Sequence, residues 1–102
     1  MPSNGTSTSG AVTAVDTVLG GALTVPSGRL VDISLYGTLT GGVHIQRNMA
    51  DPGATANWRT IETLTAAGER VIRNALTRQV RCITASGFSG SVEMVMTVGN
   101  RE

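Results

Sequence analysis

Residues 43–61 read VHIQRNMADPGATANWRTI. Val43 and Ile45 alternate with His44 and Gln46, which is the period of a half-buried strand. Asp51-Pro52-Gly53 then breaks the chain. Pro52 presets φ at roughly −65° and Gly53 accepts φ > 0, a combination that suits a turn. Trp58 opens a second strand that runs to Leu64, with Thr60 and Thr63 at β-branched positions. The chain holds one Trp, one Phe and one Tyr. The stretch therefore reads as a hairpin whose return strand delivers the largest apolar side chain to the core. On this reading Val43, Ile45, Trp58 and Cys82 are core residues, joined by Val31, Ile33, Val80, Val92 and Met94.

The segments on either side carry the same period. In Arg29–Tyr36, Val31, Ile33 and Leu35 share one face, Asp32, Ser34 and Tyr36 share the other, and Gly37 is expected to end the strand. Beyond the hairpin, Ala66-Ala67-Gly68 is a turn and a strand follows over residues 70–74. In Arg78–Ala85, Val80, Cys82 and Thr84 share a face. In Ser91–Val98, Val92, Met94, Met96 and Val98 do so. Consecutive short strands joined by tight turns pair antiparallel. Ile83 and Val95 are apolar on faces that a single wetted sheet keeps polar, which points to two packed sheets or a partner. The expected fold is all-β: an antiparallel β-sandwich of six to eight short strands with an extended N-terminal arm.

The expected division places the arm at residues 1–28 and the sandwich domain at residues 29–102. Residues 1–10, MPSNGTSTSG, are too small and polar to order themselves. Ala22–Val25 forms a short strand ended by Pro26-Ser27-Gly28. Val12, Val15, Val18 and Leu19 are apolar side chains that a solvating tail does not need. They are read as an interface that orders the arm against a neighbour.

At 102 residues the chain is one domain. Few aromatics leave a thin core, which favours a homo-oligomer because oligomers bury surface without adding chain. The net charge of +1 supplies no field for nucleic acid or an anionic membrane. No apolar run approaches the ~18 residues of a membrane span. The N-terminus lacks a basic start followed by an apolar run, so synthesis in a cytoplasm without a secretory signal is expected.

His44 is the single histidine and Cys82 the single cysteine. A zinc site needs three or four N/S ligands, so no metal is expected. No serine sits in a nucleophile elbow. Asp32, Glu62, Glu69 and Glu93 are spread singly along strands, the pattern of solvated faces. Gly20-Gly21 and Gly41-Gly42 lack phosphate-loop spacing, and there is no lysine to complete one. No enzyme activity and no cofactor are expected. Arg70, Arg73, Arg78 and Arg81 cluster in sequence without interleaved aromatics and beside Glu69. Pairing with carboxylates of another subunit suits them better than nucleic acid.

The parts VHIQR (43–47), DPGATANW (51–58), GERVI (68–72), QVRCITA (79–85) and SGSVEMVMTV (89–98) occur in that order. In this order they resemble a sequence type found among small virion proteins of tailed bacteriophages. Asn48-Met49-Ala50 lengthens the loop before Asp51 relative to that type. The resemblance implies a β-sandwich building block of a virion. Its expected role is capsid decoration, as a symmetric oligomer, a trimer, bound to the major capsid protein. The alternative within the virion is a neck, tail or fibre component, bound to other virion proteins. A different class is a carbohydrate- or receptor-binding module, with Tyr36, Trp58 and Phe88 as the available aromatic platforms.

Overall fold

The alternating segments become strands in the computed structural model of the protein, which describes residues 7–50, 54–74 and 76–101. The Asp51-Pro52-Gly53 turn and the first six residues lie outside the described residues. The strands are β1 (Ser7–Val12), β2 (Leu23–Val25), β3 (Arg29–Thr40), β4 (Val43–Asn48), β5 (Trp58–Leu64), β6 (Gly68–Arg73), β7 (Arg78–Thr84) and β8 (Ser89–Arg101). They form two four-stranded antiparallel sheets, ordered β1-β8-β3-β6 and β2-β7-β4-β5.

Four pairings give the fold its logic: β1 with β8, β2 with β7, β3 with β6, and β4 with β5. The chain is one long antiparallel hairpin with β4 and β5 at its tip. Further pairing of β3 with β8 and of β4 with β7 rolls that hairpin into two sheets. This is the strand order of a jelly roll. The expected antiparallel β-sandwich is thus the observed fold.

The core lies between the sheets. Val31, Ile33, Leu35, Val92, Met94 and Met96 face it from the first sheet, and Val43, Ile45, Leu64, Val80 and Cys82 from the second. Phe88, in the turn before β8, is also buried. Burying each large aliphatic side chain contributes roughly 1.5–3 kcal/mol. The core expected from alternation is found here, with Trp58 as its exception.

Trp58 lies half-buried on the outer face of the second sheet. In a regular strand Trp58 and Leu64, six residues apart, would share a face. A bulge intervenes: Ile45 pairs with Glu62, but Gln46 pairs with Thr60, so Ile61 is the extra residue. One added residue flips every side chain beyond it. Leu64 therefore points inward, while Thr60 and Trp58 join Gln46 and Asn48 outside.

Two further expectations are corrected. Gly37 does not end β3, which stays paired with β8 as far as Thr40. Gly37 has φ 107°, and a Cβ there would lie 2.3 Å from the Ser91 carbonyl oxygen. Glycine lets the two backbones pass this closely and the ladder continue. Residues 7–28, assigned to an arm, are instead part of the sandwich. β1 is the outer neighbour of β8, and Leu19 has 0% of its surface exposed. Leu19 N–H donates to the Cys82 carbonyl (2.9 Å), and Val18 bridges Ile83. The buried Thr84 hydroxyl donates to the Ala14 carbonyl (2.8 Å) and accepts from Thr17 N–H (2.9 Å). A Cβ on Gly10 would sit 2.3 Å from Gly20 N, so β1 can cross this segment only with a glycine there.

Candidate interaction faces

The bulge that turns Trp58 outward also builds the surface around it. Arg81 on β7 places its guanidinium over the Trp58 ring, 4.2 Å from the centroid. Arg81 Nε donates to Gln46 Oε1 (2.8 Å), and Gln46 Nε2 donates to Thr60 Oγ1 (3.3 Å). The Gln46 amide thus ties β7 to β5 across β4. Beside it, Asn48 Nδ2 donates to Gln79 Oε1 (3.2 Å), and His44 Nδ1 lies 2.8 Å from Thr63 Oγ1. Asn48 also closes the base of the β4–β5 loop, its Oδ1 accepting from the N–H groups of Ala50 (3.0 Å) and Asn57 (2.8 Å). That closure holds Trp58 at the start of β5. Partial burial lowers the pKa of Arg81 from its usual value, yet a guanidinium keeps its charge in proteins.

The outward positions of β7, β4 and β5 are therefore amides, hydroxyls, one imidazole, Ile83, Trp58 and Arg81, with no carboxylate among them. The opposite face, on the first sheet, has a different make-up. Asp32, Glu69 and Glu93 lie there among the exposed Tyr36, Val71 and Val95.

The arginines expected to cluster are divided between the sheets. Arg70 and Arg73 belong to β6, Arg78 and Arg81 to β7. Arg70 makes its ion pair within the chain, with Glu62 on β5, across the open side of the sandwich. Arg73 and Arg78 share one end of the sandwich with Arg29, Arg47 and Arg59, because the antiparallel ladder brings those strand ends together. Spacing in sequence missed this basic end. Its signal was an arginine at alternating termini of successive strands, near the start of β3, β5 and β7 and near the end of β4 and β6.

The apolar interface expected in the N-terminal segment is mostly consumed by the fold. Leu19 is buried, Val12 packs against the core, Val18 is half-buried, and Val15 alone of the four is exposed. Cys82 is buried, which pushes its thiol pKa up to about 12. A thiol so protonated is no nucleophile near neutral pH. Among the described residues no three His, Cys, Asp or Glu side chains come together as a metal site, and no helix is long and apolar enough to cross a membrane.

No family model matches the chain, and no curated protein matches it. A solved structure that does match is the solution NMR structure of a de novo designed double-stranded β-helix. It has 15% identity and a TM-score of 0.47, over 91% of this chain and 97% of that one.

Proposed function

We propose that the protein is a non-enzymatic structural component of a bacteriophage virion. Its role is that of a capsid-decoration protein that binds the major capsid protein as a homo-oligomer, a trimer. The outer face of the second sheet is the attachment surface. The observation that carries this reading is Trp58 stacked with Arg81 on a face where the outward residues of β4, β5 and β7 include no carboxylate. Trp and Arg are the residue types that dominate binding energy at protein interfaces. Interface cores are also depleted of Lys, Glu and Asp. The hydrogen bonds through Gln46 and Asn48 hold these side chains before any partner arrives, which lowers the ordering cost of docking. Two further supports are weaker: the resemblance over residues 43–98, and the recurrence of jelly rolls in viral capsid domains, an analogy of fold only. Val71, Val95 and Tyr36 on the opposite face offer apolar area for contact between copies.

The test is co-sedimentation of the purified protein with shells of the major capsid protein from the phage carrying the gene. Trp58→Ala and Arg81→Ala should abolish co-sedimentation while the variants still unfold cooperatively, at most about 8 °C below the parent. Undiminished co-sedimentation of both variants would remove the proposed surface. Failure of the parent to bind any shell would remove the decoration role and leave neck, tail or fibre. The same face favours one second reading. Amides and hydroxyls around an exposed indole also suit a sugar, so a glycan array separates a carbohydrate-binding module from a protein-docking one.

A further inference from the structure

Asn74 follows the last residue of β6. It keeps the parity of the buried Ile72 and turns inward between the sheets at the basic end. Its backbone is fully used: N–H donates to the Arg29 carbonyl (3.3 Å), and the carbonyl accepts from Gly28 N–H (2.8 Å). Its side chain is not. Asn74 is 1% exposed, yet neither Nδ2 nor Oδ1 has a partner, and Nε of Arg47 is buried without one as well. Both residues line a hollow of about 130 Å³ together with Met49, Leu76 and Arg78. An unpaired buried amide carries its full desolvation cost with no hydrogen bond to offset it. Native folds leave few such groups without a ligand or an ordered water to complete them.

The chemistry of the hollow is specific. Arg47 Nη2 donates to the Arg73 carbonyl (2.9 Å), and Arg78 Nη1 donates to the Ala50 carbonyl (3.1 Å), so both guanidinium groups are held in place. Among the described residues the lining carries positive charge and no carboxylate. The unpaired groups are donors on Arg47 and Asn74 and one acceptor, Asn74 Oδ1.

We propose that this hollow binds a carboxylate whose α atom carries an N–H or O–H, as at a peptide C-terminus or in an α-hydroxy acid. The carboxylate accepts from Arg47 Nε and Asn74 Nδ2. The α donor satisfies Asn74 Oδ1. An apolar substituent lies against Met49 and Leu76, which are 42% and 59% exposed and swing aside to admit it. The site is separate from the Trp58 face and stands whether or not that face docks.

Four small probes of similar shape test the proposal on the full chain: N-acetylleucine, 2-hydroxy-4-methylpentanoate, N-acetylleucinamide and 4-methylpentanoate. The readout is the side-chain amide resonance of Asn74 in ¹⁵N-labelled protein. Saturable shifts are expected with at least one of the first two, the stronger of them naming the source. The uncharged amide and the acid without an α donor should each bind about tenfold more weakly, the loss of roughly one hydrogen bond. In Asn74→Leu, followed by the backbone amide resonances of Arg47, Met49 and Arg78 around the hollow, which shift in the parent, the probes should cause no saturable shift while the protein stays folded. If that variant does not fold, Arg47→Gln serves, with about tenfold weaker binding expected. Equal affinity for all four probes, or no shift with any of them because the amide is completed by water only, overturns the proposal.

Discussion

Two regions of the molecule exchange the roles that their composition suggests. The N-terminal stretch, residues 7–25, is built of small and mid-sized side chains without an aromatic, yet it supplies β1, β2 and the fully buried Leu19. The β4–β5 tip carries the chain's only tryptophan, yet sets it on the surface beneath an arginine. Bulk and hydropathy say how much a side chain gains from burial. They do not say whether the strand presents it inward. For Leu19 the backbone is held to β7 by hydrogen bonds at residues 17 and 19, which leaves its side chain over the core. For Trp58 one bulged residue sends the ring outward.

The comparison is broken most severely by removing the N-terminal stretch. A chain starting at residue 20 loses β1 and Leu19, leaving β8 as a bare edge next to an opened core. Loss of the cooperative thermal transition and association on a sizing column are expected. A truncated protein with the parent's melting temperature would return these residues to the role of an arm.

Leu19→Ala probes the same region with one side chain. It should cost about 2–5 kcal/mol in urea unfolding, as for other buried leucines. A cost below ~1 kcal/mol would mean that the segment is not packed as described.

Cys82 reports on the interior between the two regions. Its folded pKa of about 12 exceeds the ordinary 9.0 because burial disfavours the thiolate. The unfolded chain releases this proton first as pH rises, so the contribution to stability is full below about pH 9 and is lost as pH climbs towards 12. Stability measured across that range should fall in the parent and fall less in Cys82→Ala. In native protein the thiol should resist a thiol reagent until denaturant is added.

Trp58→Ala then sharpens the contrast. A core tryptophan would cost about 3–5 kcal/mol on truncation. Here the expected loss is about 1 kcal/mol or less, the scale of an exposed cation–π contact. The smallest effect belongs to the ion pair of Arg70 and Glu62, whose side chains are 46% and 36% exposed and so partly screened by solvent. Glu62→Gln should change stability by under ~1 kcal/mol and weaken the salt dependence of the melt.

The sequence by itself determined where the strands from β2 to β8 are, that they are antiparallel, and which residues of β3, β4, β7 and β8 face the core. Side-chain alternation is a property of the local backbone, so an unbroken apolar period reads directly as a buried face. Even the break was visible in part. In WRTIETL the apolar residues 58, 61 and 64 recur every third position, a spacing no regular strand can bury. What that spacing meant could be settled only by pairing with β4, since a bulge is defined by two strands at once. The same holds for Gly10 and Gly37, whose glycines answer to backbones far along the chain. It holds too for the basic end with Arg47 and Asn74, which lie 27 positions apart in sequence and line one hollow. Tertiary structure decided these features because each depends on register between distant strands. Register is chosen by the packing of the whole sandwich, not by any single segment.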